Sequence, residues 1–225
     1  IDRSLVGSEM CIRDRSIVHS LDKSANVFSL LESLLRLRQV CCDPALVPGS
    51  ASRGETSAKT QILGERLQEL HLAGSAALVF SQWTSYLDRI AAHLEERGLT
   101  YLRIDGQTKD RQDVVARYQA GEAPILLMSL KAGGVGLNLT AADHVFITDP
   151  WWNPAAEDQA ADRAYRIGQD KPVFVYRMVA ADSIEEKVLA LQAEKKALAE
   201  SAVGGASVAE SSLSKNDLLA LLDGA

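Results

Sequence analysis

The chain has 225 residues, 47% of them hydrophobic and 24% charged, with a formal net charge of −6. That length buries one good core plus appendages, and the composition is that of an ordinary globular protein. No apolar run is long enough to span a bilayer, and the acidic balance excludes a basic tail coating nucleic acid while permitting a local basic groove.

Three cysteines, Cys11, Cys41 and Cys42, fit neither a disulfide framework nor zinc spacing, so a reducing cytoplasmic compartment is expected. The four histidines are scattered and form no metal motif. Residues 1–16 lack an amphipathic period, and the run Ser4–Arg15 resembles a translated sequencing adapter. This leader is expected to be non-native; a frayed native terminus is the alternative, with no packed role either way. Residues 26–40 carry Val27, Leu30, Leu31, Leu34, Leu35 and Leu37 at helical spacing. Arg36 and Arg38 interrupt that apolar face, and Asp43-Pro44 ends the helix. The polar run Gly49–Ser57 reads as a hinge, with the compact part starting near Lys59.

From there strands and helices alternate. Helical periods cover 62–72, 83–96 and 109–118, and short apolar strands cover 76–80, 101–104, 124–128, 144–147 and 173–179. Asn153-Pro154 opens a helix that Gly168 is placed to close, and Asp182 opens a long helix with a capping-box pattern. Glu200–Ser212 reads as a link, and Ser214–Leu222 as a short terminal helix. Continuous apolar strands between helices predict an α/β fold, a parallel sheet with helices on both faces plus flanking helices. Ligands then sit at the carboxyl ends of the strands, in the loops after Phe80, Ile104, Met128 and Ile147.

Each of those loops is unusual. Ser81-Gln82-Trp83-Thr84 and Asp105-Gly106-Gln107-Thr108 are helix starts that suit either a phosphate or simple capping. Ser129-Leu130-Lys131-Ala132-Gly133-Gly134-Val135-Gly136 is a glycine cradle, for a ligand or for tight packing. It is neither a Walker A box nor a dinucleotide fingerprint, which excludes a dinucleotide enzyme. Trp151 and Trp152, between two prolines, suit stacking on nucleic acid or plugging the sheet's end, the latter expected of at least one. On one helix over 154–168, Gln159, Arg163 and Arg166 fall at i, i+4 and i+7 and form a polar stripe suited to phosphate. The alternative is a solvated face carrying Asp162–Arg166 and Asp158–Arg163 pairs.

Together these motifs resemble, from about Leu34 to Leu198, the second RecA-like lobe of Swi/Snf-like superfamily-two helicase-related ATPases of a bacterial style. Leu78–Gln82 resembles motif four, Tyr101–Gly106 its companion, Ser129–Leu139 motif five, Asp149–Pro154 its extension, and Gln159–Gln169 motif six. Leu35–Pro44 resembles the segment leading from the first lobe, and Asp182–Leu198 a brace helix. The resemblance implies a P-loop NTPase-like second lobe over 59–181, a segment from the first lobe over 17–58, a brace at 182–200 and a tail at 201–225. It implies ATP held between two lobes, with Mg2+ held by the other lobe. Arg163 and Arg166 match arginine-finger positions, Gln159, Gly134 and Gly136 match nucleotide-side positions, and Ser81, Gln82, Gly106, Ser129, Lys131 and Trp152 match DNA-backbone positions. Implied partners are double-stranded DNA, the first lobe and DNA-bound protein complexes, in a cytoplasmic, nucleoid-associated setting with no membrane. Tyr165 departs from the family's usual His. No Walker A or Walker B box is present, so the chain is expected to be a fragment inactive alone. A stand-alone nucleic-acid or protein-docking module is the alternative.

Overall fold

Five strands form one parallel sheet: β1 (Ala77–Ser81), β2 (Tyr101–Ile104), β3 (Ile125–Ser129), β4 (His144–Ile147) and β5 (Phe174–Arg177). Their spatial order is β2-β3-β1-β4-β5, so β1 lies at the centre and the chain changes direction across it. The computed structural model describes residues 27–50, 54–132, 137–152, 154–166 and 168–201. The leader, part of the hinge, Gly134, Gly136, Asn153 and the terminal helix expected at 214–222 lie outside them.

The three inner strands are buried along their whole length, which is why their sequences are unbroken apolar runs. Alternate residues serve opposite faces. Ala77 and Val79 face one core, packed with Leu63 and Leu67 of α2 (Ala58–Leu72) and Leu87, Ile90 and Leu94 of α3 (Thr84–Glu96). Leu78 and Phe80 face the other, with Tyr118 of α4 (Arg111–Gln119) and Ala160 of α5 (Pro154–Ala161). Ser57 caps α2 by accepting from Thr60 N, and so starts that helix four residues before its apolar period begins. Gly98, at φ +68, takes the left-handed position after α3. A third cluster joins Leu30, Leu34, Leu37 and Cys41 of α1 (Val27–Cys42) to Ile184 and Val188 of α6 (Ile184–Ser201). Half-buried Trp152 packs against it.

One expectation fails. The helix opened by Pro154 stops at Ala161, and 162–166 are turns, so Gln159, Arg163 and Arg166 do not share one helical stripe. The cause is tertiary. Leu139 N takes the Arg163 carbonyl at 3.0 Å, and Gln169 Nε2 takes the Ala164 carbonyl at 3.3 Å. The same amide holds the carbonyls of Thr140 at 3.0 Å and Ala142 at 2.7 Å, which ties the loop before β4 to the turn. Gly168, at φ +102, follows the turn rather than capping the helix.

Candidate functional site at the carboxyl ends of the strands

The loops after β1, β2, β3 and β4 converge on one edge of the sheet. In register, Ser81 at the end of β1 stands beside Ser129 at the end of β3. Both are buried and both hydroxyls are engaged: Ser81 Oγ accepts from Trp83 N at 3.0 Å, and Ser129 Oγ accepts from Ala132 N at 3.2 Å. They shape turns. What reaches solvent beside them is Gly106, Lys131 and, in part, Gln82. A Cβ on Gly106 would meet nothing within 4 Å, so its own fold does not demand glycine there. The turn is built by Asp105, whose Oδ1 accepts from Gln107 N at 2.8 Å and whose Oδ2 accepts from Arg103 Nε at 2.8 Å. Burial pushes the Asp105 pKa up, but the Gln107 backbone bond and Arg103 outweigh it and leave it lowered.

Beneath this edge lies a polar cluster that the motif pattern does not reveal. Asp149, 1% exposed, accepts from Gln82 N at 3.0 Å across the β1–β4 junction. Burial lifts its pKa to about 6, against the opposing pull of Ser81, Gln82, Arg38 and Thr148. Thr148 Oγ1 lies 2.9 Å from both Phe80 O and Asp149 Oδ1. Its single proton can serve only one of them. Donated to Asp149, it holds that carboxyl's pKa down, while Thr148 N serves Phe80 O at 3.0 Å. Arg38 Nη2 donates to Pro150 O at 2.6 Å, and its guanidinium lies 4.7, 5.5 and 5.9 Å from the ring centres of Trp152, Trp151 and Trp83. Both indoles of the Trp151-Trp152 pair are half-buried around that cation.

Two further buried hubs fix α6 to this edge. Lys59 Nζ donates to Thr148 O at 2.9 Å and to both oxygens of Glu185 at 2.8 and 2.7 Å. Burial alone would lower the Lys59 pKa; the Glu185 charge reverses that and leaves it raised. Glu157 of α5, with 0% exposure, accepts from Trp151 N at 2.7 Å, Arg177 Nε at 2.8 Å and Gln192 Nε2 at 3.1 Å. Gln192 also donates to the Trp151 carbonyl. The sequence held one hint of these clusters. An arginine interrupting an apolar stripe, as Arg38 does, needs a buried partner.

On the turn after α5, Arg163 is 5% exposed and its Nε has no hydrogen-bond partner. Among the described residues no carboxylate lies within ion-pair distance of it; Asp158 instead reaches Arg177, at 3.5 Å. Burial first, and the positive charge of Arg166 second, lower the Arg163 pKa, with Asp162 opposing. Arg166 is exposed, and its Nη1 donates to Leu137 O at 3.3 Å, at the exit of the glycine loop. Two cations are thus held together with an orphan donor between helix and loop. Gln159 is exposed one helical turn earlier. Among the described residues, no three His, Cys, Asp or Glu side chains could hold a metal ion, and no helix is long and apolar enough to cross a membrane.

Residues 58–168 match the family described as the helicase conserved C-terminal domain. DNA repair protein RAD5B of Arabidopsis thaliana is 48% identical over 145 residues, 62% of this chain and 11% of the relative. An uncharacterized ATP-dependent helicase of Mycoplasma pneumoniae is 41% identical over 180 residues, 79% of this chain and 17% of the relative. The chain therefore spans less than a fifth of these relatives' length. Among solved structures, the Sulfolobus solfataricus SWI2/SNF2 ATPase core in complex with dsDNA superposes with a TM-score of 0.72 at 28% identity, over 90% of this chain and 46% of that one. The C-terminal part of the Fun30 ATPase domain superposes with a TM-score of 0.63 at 28% identity, over 95% and 72%.

Proposed function

We propose, starting from the fact that residues 58–168 form a helicase conserved C-terminal domain like that of the RAD5/SNF2-like ATPases, and that the sheet running on to Arg177 is RecA-like, that the chain is the second lobe of an ATP-dependent double-stranded-DNA translocase. The observation that carries this reading is Arg163. A buried guanidinium with an unpartnered Nε, no carboxylate within ion-pair distance among the described residues, and the charge of a second arginine acting on it fits an anion arriving from outside the lobe. The γ-phosphate of ATP bound on a facing lobe meets that demand. Arg163 and Arg166 then pair with the charge that develops during phosphoryl transfer, a contribution of about 10³–10⁵ in rate for arginine fingers generally.

Gln159, exposed on α5, is assigned to the nucleotide side, as are Gly134 and Gly136 by their place in the motif. In this reading Mg2+ is held by the facing lobe, and ATP turnover by the chain alone is not expected. DNA lies along Gly106, Lys131 and Gln82, with Ser81 and Ser129 positioning the turns and Trp152 buttressing the end of the sheet. Grip on backbone phosphates rather than base edges gives no sequence preference, which suits a translocase. Its setting is with DNA, in nucleoid or nucleus, alongside DNA-bound protein complexes.

The test joins the chain to a first lobe that supplies the phosphate-binding Lys and the acidic magnesium box. DNA-stimulated ATP hydrolysis is expected from the pair and none from the chain alone. Arg163→Ala or Arg166→Ala is expected to lower turnover by about a thousandfold with DNA affinity nearly unchanged. Parallel loss of turnover and DNA affinity would refute the arginine assignment.

A further inference from the structure

Three apolar side chains of α1 lie open to solvent: Phe28 is 75% exposed, Leu31 45% and Leu35 38%. They recur at i, i+3 and i+7 and so form one stripe. It lies about a third of a turn round the helix from Leu30, Leu34 and Leu37, the residues that pack toward α6. Scattered apolar residues on a surface mean little, whereas an ordered stripe calls for a partner.

The course of α6 indicates which partner. It starts at the carboxyl end of α1, where the Glu185 charge acts on Arg38 and Cys42. From there it packs along α1, in the cluster that extends back to Leu30. Glu185 to Ser201 covers about 24 Å, against about 22 Å from Cys42 back to Val27, and the α6 residues packed in this cluster run as far as Leu191. Beyond Ser201 the sequence continues through a Ser/Ala/Gly-rich run to Ser214-Lys215-Asn216-Asp217-Leu218-Leu219-Ala220-Leu221-Leu222. The run 202–213 reaches up to roughly 40 Å when extended, far more than the width of one helix. As a helix, 214–222 is about 13 Å long, against about 10 Å from Phe28 to Leu35. Leu218, Leu221 and Leu222 fall on one face, an apolar strip to match the three side chains of the stripe.

We propose that residues 214–222 of this same chain dock as a helix on the Phe28–Leu31–Leu35 stripe and complete a three-helix layer with α1 and α6. None of these residues belongs to the arginine turn or the DNA-facing loops, so this proposal and the translocase reading stand or fall separately.

Hydrogen exchange of the α1 amides, read by mass spectrometry on the whole chain, tests it. Exchange over residues 28–36 is expected to speed up by about tenfold or more when the chain ends after Ser212, and equally in the full-length double variant Leu218→Asp/Leu222→Asp. Exchange in β1 and β3 reports whether each variant keeps its fold. Light scattering across about a tenfold dilution distinguishes a second copy. Protection of α1 that survives the truncation with the sheet intact, that needs residues 1–26 instead, or that falls on dilution along with a dimer mass, overturns the proposal.

Discussion

Replacing Asp149 with Asn probes the buried cluster at the end of β4. The carboxyl is 1% exposed, and its pKa is lifted from an ordinary 3.8 to about 6. Between those two values the folded chain holds a proton that the unfolded chain releases. Stability attributable to this group is therefore highest below pH 4, falls as pH rises, and levels off above pH 6. A gap of about two units corresponds to about 3 kcal/mol. Asn keeps an acceptor for Gln82 N and an amide donor for Thr148 but cannot ionise. Asp149→Asn is thus expected to gain about 3 kcal/mol on the wild type between about pH 4 and pH 7. Urea unfolding of both proteins across that range measures it. Using the difference removes carboxyls whose pKa is lowered, such as Asp105 and Asp143, which act in the opposite sense in both proteins. The Cys42 thiol, pushed well up by burial, titrates outside the window. A stability difference that stays flat with pH, or moves toward the wild type, would refute the account of Asp149 as a carboxyl whose pKa burial raises.

The other perturbations separate anchors from contacts. Lys59→Met strands the Glu185 carboxylate in the interior and is expected to cost about 3–5 kcal/mol, while Lys59→Met/Glu185→Leu recovers most of it; additive losses in chemical denaturation would show that the two side chains do not act as a pair. Arg163→Met removes no ion pair and relieves repulsion from Arg166, so unfolding should show unchanged stability or a gain of about 1 kcal/mol; a loss exceeding that size would make the guanidinium a structural anchor rather than a waiting anion site. Gly106→Ala should leave the melting temperature unaltered, because a Cβ there meets no atom within 4 Å, yet weaken DNA binding if the backbone touches phosphate. Lys131→Ala should weaken DNA binding and lower the salt slope by about 0.9; unaltered affinity and slope in a titration would discard that contact.

Local pattern and tertiary contact divided the work of specifying this chain. The five strands are legible because β1, β3 and β4 are buried on both faces, and only unbroken apolar runs satisfy that burial. A capped helix start was legible only to within a few residues: the helix read from 109 begins at Arg111 after its cap Asp110, and the one read from 62 begins at Ala58 after its cap Ser57. The loops singled out by motif follow the carboxyl ends of the strands, since parallel strands put those loops on one edge. What the pattern misplaced was the arginine turn. Residues 154–168 carry a helical spacing, but the carbonyls of Arg163 and Ala164 are claimed by Leu139 and Gln169, which no local period encodes.

The sequence alone settled the strand count, the sheet's parallel sense and the family motifs, because hydrophobic period and backbone chemistry act over a few residues. Only the tertiary structure decided that Arg38, Asp149, Lys59, Glu157 and Glu185 are buried beneath those motifs, and that the Arg163 Nε has no partner among the described residues. Charges distant in the chain become neighbours only after the sheet excludes water, and burial then makes each pairing, or its absence, count.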